Sequence, residues 1–242
     1  MTDLTISPVR GLPELRAGDD LAALISERAE VESGDVLVVA QKAVSKVEGR
    51  IVRLDDVEPS PRAQELAEDG DPRRLEVILR EAKRIVRTRG SLVIAETRHG
   101  FICASAGVDA SNTPEPGMLV LLPVDPDESA ARLRARLHEL TGREVGVVVS
   151  DSFGRPWRQG TTDVAIGAAG IEALRDLKGE RDPSGYELKS TVIAIADEVA
   201  GAAELVMGKL DRTPAAIVRG LVVPGDGTAR DLVMPAERNL FP

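Results

Sequence analysis

The sequence predicts a layered α+β protein in which helices and strands mix along the whole chain. Three observations carry that expectation. Apolar residues recur alternately at helical and at strand spacing, 43% of the 242 residues are hydrophobic, and no internal repeat or low-complexity linker breaks the pattern. Such a chain can bury the core of one large domain or of two small subdomains, and residues 1–242 are read as one functional unit.

Leu21, Leu24 and Ile25 mark one face of a helix within Asp20 to Ala29, and Asp35 opens an apolar strand, Val36 to Ala40, that ends at Gln41. Pro72 to Arg87 reads as a long helix. Pro72 suits its first turn, Leu75, Ile78, Leu79, Ala82 and Val86 follow at spacings of three and four, and the basic last turn suits the helix dipole. Ser91 to Glu96 and Phe101 to Ser105 read as strands joined through Thr97 to Gly100, with Met118 to Val124 continuing that sheet. Asp127 is placed to cap a helix carrying Ala130, Leu133, Leu137 and Leu140 that stops near Gly142, and Val145 to Val149 is a short buried strand. Asp151 to Gly160 reads as loop. A strand at Leu188 to Ile195, a helix around Glu198 to Met207 and a strand at Ala215 to Val218 complete the series.

Composition excludes several functions. A net charge of −9 and a pI near 5.0 oppose sequence-independent nucleic-acid binding, and 2% aromatic content leaves few stacking platforms. The single cysteine, Cys103, forbids an intrachain disulfide or a cysteine-rich zinc site, as expected for a reducing cytoplasm. Met1 to Arg10 lacks the basic and apolar blocks of an export signal, and no run reaches the roughly 18 apolar residues of a membrane span. Anionic ligands would therefore need a local basic pocket or bound metal.

Two motifs fail on inspection. Gly208-Lys209 is not a phosphate-binding P-loop, because Ala203 and Leu210 replace the first glycine and the magnesium-binding hydroxyl. Gly225-Asp226-Gly227 is not a dinucleotide fingerprint, because Arg230 stands where its third glycine belongs. His99 and His138 have no adjacent nucleophile and read as surface histidines.

Three segments at predicted strand ends carry chemistry. In Ala40 to Arg50, Lys46 is a point charge suited to phosphate. In Ser105 to Asn112, Asp109 and Asn112 offer oxygens of the kind that magnesium and manganese prefer, beside small residues that permit close approach. In Val149 to Asp163, Asp151 and Ser152 leave a buried strand beside Arg155, Arg158 and the only tryptophan, Trp157.

At these residues the chain resembles the coenzyme F420 gamma-glutamyl ligase family. The similarity runs from Pro8-Val9-Arg10-Gly11-Leu12-Pro13-Glu14 to Asn239-Leu240-Phe241 and is most specific at Val44 to Arg50, Ala106 to Asn112, and Gly154 to Arg158 with Asp163 to Gly167. It looks particularly close to the N-terminal half of actinobacterial enzymes that carry a nitroreductase-like second domain, and no such second domain is expected here. The resemblance implies a gamma-glutamyl ligase fold, an intertwined homodimer, and GTP held by Leu12, Pro13, Glu14, Leu15, Gln41, Lys46 and Asn112, with Gly208, Lys209 and Leu210 approaching the nucleotide. It further implies magnesium or manganese on Asp109, Asp151 and Ser152, with potassium as a further ion. Gln41, Ser152 and Lys209 depart from the family's commoner residues, and a protonated lysine cannot ligate metal. Arg155, Arg158 and Tyr186 are weaker substrate-binding assignments.

The implied reaction joins L-glutamate to the deazaflavin precursor by an amide bond, with GTP activating the carboxylate as an acyl phosphate. A metal-dependent phosphotransferase and a non-catalytic GTP-binding regulator are the rivals. Glutamate-dependent GDP release separates the first from a ligase, and any turnover separates the second.

Overall fold

The computed structural model describes residues 3–68 and 70–240, so Phe241 and the first two residues of the N-terminal stretch lie outside it. Its centre is a five-stranded sheet in the order β1 (Thr5–Pro8), β12 (Ala215–Arg219), β2 (Val36–Ala40), β8 (Gly146–Arg155) and β9 (Arg158–Ala169). Only β2 and β8 run parallel; the other neighbours are antiparallel.

Strand β2 is buried on both faces, so alternate side chains enter different cores. Leu37 and Val39, with Val147, Val149 and Ile217, meet α1 (Leu21–Ser26) and α5 (Pro126–Thr141) through Ile25, Leu133 and Leu137. Val36 and Val38, with Val148, Ala216 and Val218, meet α6 (Ile195–Met207) through Val199, Ala200 and Ala203. The result is a sheet between helical layers. Gly167 lets α5 approach β9, because a Cβ there would lie 2.2 Å from the Pro126 carbonyl oxygen.

A third core lies beside this one. It gathers α3 (Pro61–Ala67), α4 (Pro72–Glu81), the three-stranded sheet β4 (Ala82–Arg89), β5 (Leu92–Thr97) and β6 (Ile102–Ala104), and the pair β3 (Ile51–Arg53) and β7 (Met118–Val120). The helix α2 (Gln41–Val47) follows β2 without a loop, and a small antiparallel pair, β10 (Arg175–Asp176) with β11 (Val192–Ile193), precedes α6.

Several elements differ from the sequence expectation. The helix expected over Pro72 to Arg87 stops at Glu81. Ile85, Val86 and Thr88 are β-branched, and Lys83 and Arg84 reach Glu96 across the β4–β5 ladder at 2.6 and 2.5 Å, which fixes the second half as strand. Met118 to Val120 pairs with β3 rather than extending the β5–β6 sheet. Asp125, not Asp127, caps α5, by accepting from the Glu128 amide at 3.2 Å; Gly142 ends the helix in the left-handed conformation as expected. Asp127 Oδ1 instead accepts from the amides of Ala168 and Ala229 at 2.9 and 2.8 Å. The strand expected over Leu188 to Ile195 reduces to Val192–Ile193, because α6 begins at Ile195. His99 is no surface histidine: it is half-buried, shares its Nε2 between the carbonyls of Pro123 and Val124, and stacks on Phe101. No helix among the described residues is long and apolar enough to cross a membrane.

Candidate functional site

The largest correction falls on the functional segment itself. Asp151 to Gly160 is not a loop but the outer half of a hairpin formed by β8 and β9, turning at Pro156 and Trp157. Trp157 takes a φ of 56° after the proline, the kind of turn in which proline precedes a left-handed residue. A bulge between Val149 and Ser150 interrupts the ladder just before Asp151. Bulges of this kind re-aim side chains. The pairing of Ala40 with Ser150 across β2 and β8 then sets the start of α2 beside Asp151.

Asp163 lies opposite Ser152 on β9 and organises this end of the hairpin. It is buried and accepts from the hydroxyls of Ser150 and Ser152 at 2.9 and 2.7 Å. The Ser152 proton is thereby committed, which leaves its oxygen lone pairs for a donor or a cation. Lys209 Nζ, arriving just beyond α6, donates to that oxygen at 3.3 Å.

Asp109 comes from the third core. Ser105, Ala106 and Gly107 all have positive φ, at 55°, 51° and 74°, and form a left-handed turn directly after β6. Gly107 admits no side chain there, because a Cβ would meet Leu122 Cγ at 2.6 Å. Asp109 then forms a two-residue bridge with Val120, and its carboxylate accepts from the Ser111 amide and hydroxyl at 2.8 and 3.0 Å. Lys42 of α2 closes the arrangement. Its ammonium lies 2.6 Å from Asp109 Oδ2 and donates to Ser111 Oγ at 2.5 Å.

The two carboxylates differ electrostatically. Burial pushes Asp151 from 3.8 up to about 7; the Ser152 amide opposes this, Asp163 reinforces it, and Lys42 and Lys209 oppose it from nearby. Burial also acts to raise Asp109, but the hydrogen bonds from Lys42 and Ser111 outweigh it and hold that carboxyl below its ordinary value. Cys103 is pushed up to about 12 by burial and by Asp151, so it stays a thiol.

The expected nucleotide residues fall into this region unevenly. Glu14 Oε1 receives a 2.5 Å hydrogen bond from Lys46, which ties the Leu12 to Leu15 segment to α2. Leu15 is buried, Leu12 is partly buried, and Pro13 is exposed. Gln41 is 1% exposed; its Oε1 accepts from Ser45 at 2.9 Å while its Nε2 has no partner among the described residues. Asn112 follows Asp109 with a φ of 57° and is exposed. Gly208, Lys209 and Leu210 leave the end of α6, with Leu210 89% exposed. Arg155 and Arg158 sit at the hairpin tip, where Arg155 Nη2 donates to the Gln159 carbonyl, and Tyr186 is exposed on a separate turn. The described contacts do not bring these three to the carboxylates. Lys42, Ser111 and Asp163 were not singled out from sequence, although each lies inside one of the three segments.

The donor chemistry fits a hard divalent cation. The donors are carboxylate and hydroxyl oxygens without sulfur or imidazole: Lys42 pairs with Asp109, Lys209 donates to Ser152, and both lysines act electrostatically on Asp151. Among the described residues no group of three or more His, Cys, Asp or Glu is placed to hold a metal ion by itself.

Comparison with known proteins gives one consistent answer. A family model described as F420-0:Gamma-glutamyl ligase matches residues 11–220. A coenzyme F420:L-glutamate ligase of Methanopyrus kandleri is 51% identical, covering 98% of this chain and 97% of its own. Those of Methanocaldococcus jannaschii and Methanothermobacter thermautotrophicus are 46% and 44% identical, over 95% and 98% of this chain and 94% and 98% of their own. By both measures the chain belongs to the F420-0:gamma-glutamyl ligase family.

Proposed function

We propose that the protein joins L-glutamate to a coenzyme F420 precursor, using GTP and a divalent metal held by Asp109, Asp151 and Ser152. The observation that carries this reading is that Lys42, paired with Asp109 at 2.6 Å, also acts electrostatically on Asp151, which comes from a different part of the fold. A carboxylate and an amine do not condense in water unaided. GTP supplies the activation: a precursor carboxylate oxygen takes the γ-phosphoryl group, the bond to the β-phosphate breaks, and GDP leaves. The glutamate amine then attacks the acyl carbon, phosphate departs, and the amine loses a proton. No protein nucleophile is required. Magnesium or manganese, when bound, would neutralise phosphate charge during the transfer.

The chain's own residues orient these partners. Asp163 fixes the Ser152 hydroxyl, and the Ser111 amide and hydroxyl fix Asp109. Lys46, Gln41, Asn112 and the Leu12 to Leu15 and Gly208 to Leu210 segments form the nucleotide pocket, with Lys209 facing phosphate rather than metal. Arg155, Arg158 and Tyr186 are assigned to the precursor at the periphery. The reading also takes the protein as a cytoplasmic homodimer of the ligase fold, with potassium as an accessory ion.

Mass spectrometry of precursor, GTP and glutamate incubated with the protein tests the reaction. A product heavier by one glutamyl residue or more, formed with GDP and lost in Asp109→Asn, is expected. GDP release that ignores glutamate would replace the ligase with a phosphotransferase.

A further inference from the structure

Lys42 is the second residue of α2, and its side chain is only 13% exposed. Its ammonium has Asp109 Oδ2 and Ser111 Oγ as direct partners and lies within the field of Asp151. Most ion-paired lysines elsewhere differ from this. Lys83 and Lys178 reach their carboxylates from solvent, at 64% and 45% exposure. A largely buried lysine paired with one carboxylate and within the field of a second compensates their charge.

That position competes with metal. A carboxylate offers about four lone-pair positions. On Asp109, Oδ1 accepts from the Ser111 amide, while Oδ2 accepts from both the Ser111 hydroxyl and Lys42. One position on Oδ1 is left, so a divalent cation on Asp109 must either take the place of Lys42 on Oδ2 or bind at Oδ1 close to the lysine's charge. We infer that Lys42 is an internal counter-cation, which holds Asp109 and shields Asp151 until the metal displaces it. This rests on the metal reading above and adds to it a residue that opposes metal binding while keeping the site ordered.

The sign of one substitution separates this role from a structural one. Lys42→Met keeps length and removes charge, so Mn2+ should bind about tenfold more tightly or better, as repulsion between near cations is relieved. A lysine that merely props Asp109 in place would, when removed, weaken Mn2+ binding. Lys42→Gln keeps a donor to Asp109 without charge and should shift affinity in the same direction; it decides the matter if the methionine variant does not fold.

The experiment is a Mn2+ titration of the full chain without nucleotide, reading free Mn2+ by its electron paramagnetic resonance signal, with circular dichroism to verify folding. Tighter binding in both folded variants is the expected result. Unchanged or weaker binding in either folded variant overturns the inference. If wild type shows no Mn2+ binding that Asp109→Asn and Asp151→Asn remove, the metal reading itself fails, which is a distinct outcome.

Discussion

Replacing Asp151 by asparagine should stabilise the protein in the absence of metal, by an amount that depends on pH. Burial, reinforced by Asp163, raises the Asp151 carboxyl from 3.8 to about 7. Below 3.8 both the folded and the unfolded chain hold this proton, so no pH-dependent difference arises. Between 3.8 and about 7 the unfolded chain loses its proton while the folded chain keeps it, so stability falls as pH rises. Above about 7 the loss is complete. At about 1.4 kcal/mol per tenfold in proton affinity, the full effect is at most about 4 kcal/mol. Asparagine cannot ionise and escapes it. The stability difference, variant minus wild type, should therefore grow by about 2–3 kcal/mol from about pH 5 to about pH 8. Urea unfolding in chelator, at fixed protein concentration and several pH values, measures it. Any constant offset from the amide cancels in that comparison. A difference that stays flat with pH, or that shrinks toward pH 8, would refute the assignment of a proton to Asp151.

Asp109→Asn should behave oppositely, since its carboxyl is held below the ordinary value: the variant loses stability at neutral pH, and the loss fades as pH falls through the native value, seen in the same unfolding series. Lys46→Ala should weaken GTP binding by roughly ten- to a hundredfold, the worth of one charged hydrogen bond, in calorimetric titration at fixed metal and salt; an unchanged affinity would take Lys46 out of the nucleotide pocket. Gly167→Ala should destabilise by about 1–3 kcal/mol in thermal or urea unfolding, because the new methyl meets the backbone carbonyl of Pro126 at 2.2 Å.

The core was legible in the sequence wherever periodicity was unopposed. Val36 to Ala40, Ala215 to Val218 and the Leu133 and Leu137 stripe of α5 appear where their spacing puts them, and their side chains form the central layers. Local pattern failed where a partner distant in sequence decided the outcome. Ile85 and Val86 continue a helical stripe, yet the Glu96 carboxylate on the neighbouring strand draws Lys83 and Arg84 into a ladder. Phe153 to Gly160, rich in glycine and charge, resembles loop because its strand pairs project away from the core, with Arg155 to Thr161 exposed. Within the site, Asp109 and Asp151 were visible as oxygen donors. That Lys42 would pair with Asp109 while acting electrostatically on Asp151 was not, because it depends on the register of β2 against β8 and on a turn built in another core.

That turn has a consequence for how the chain tolerates change. Ser105 and Ala106 hold left-handed backbone with a Cβ present, which costs roughly 1–2 kcal/mol per residue. Glycine at either position would relieve this, at an entropic loss of roughly 0.5–1 kcal/mol, for a small net gain in heat resistance. The gain would come with a slacker hinge before Asp109, since glycine permits conformations that serine and alanine forbid. Gly107 gives no such freedom in reverse, as Leu122 occupies the space. Two adjacent positions thus set thermal robustness against a firmly aimed carboxylate, and the third is closed to variation from both sides.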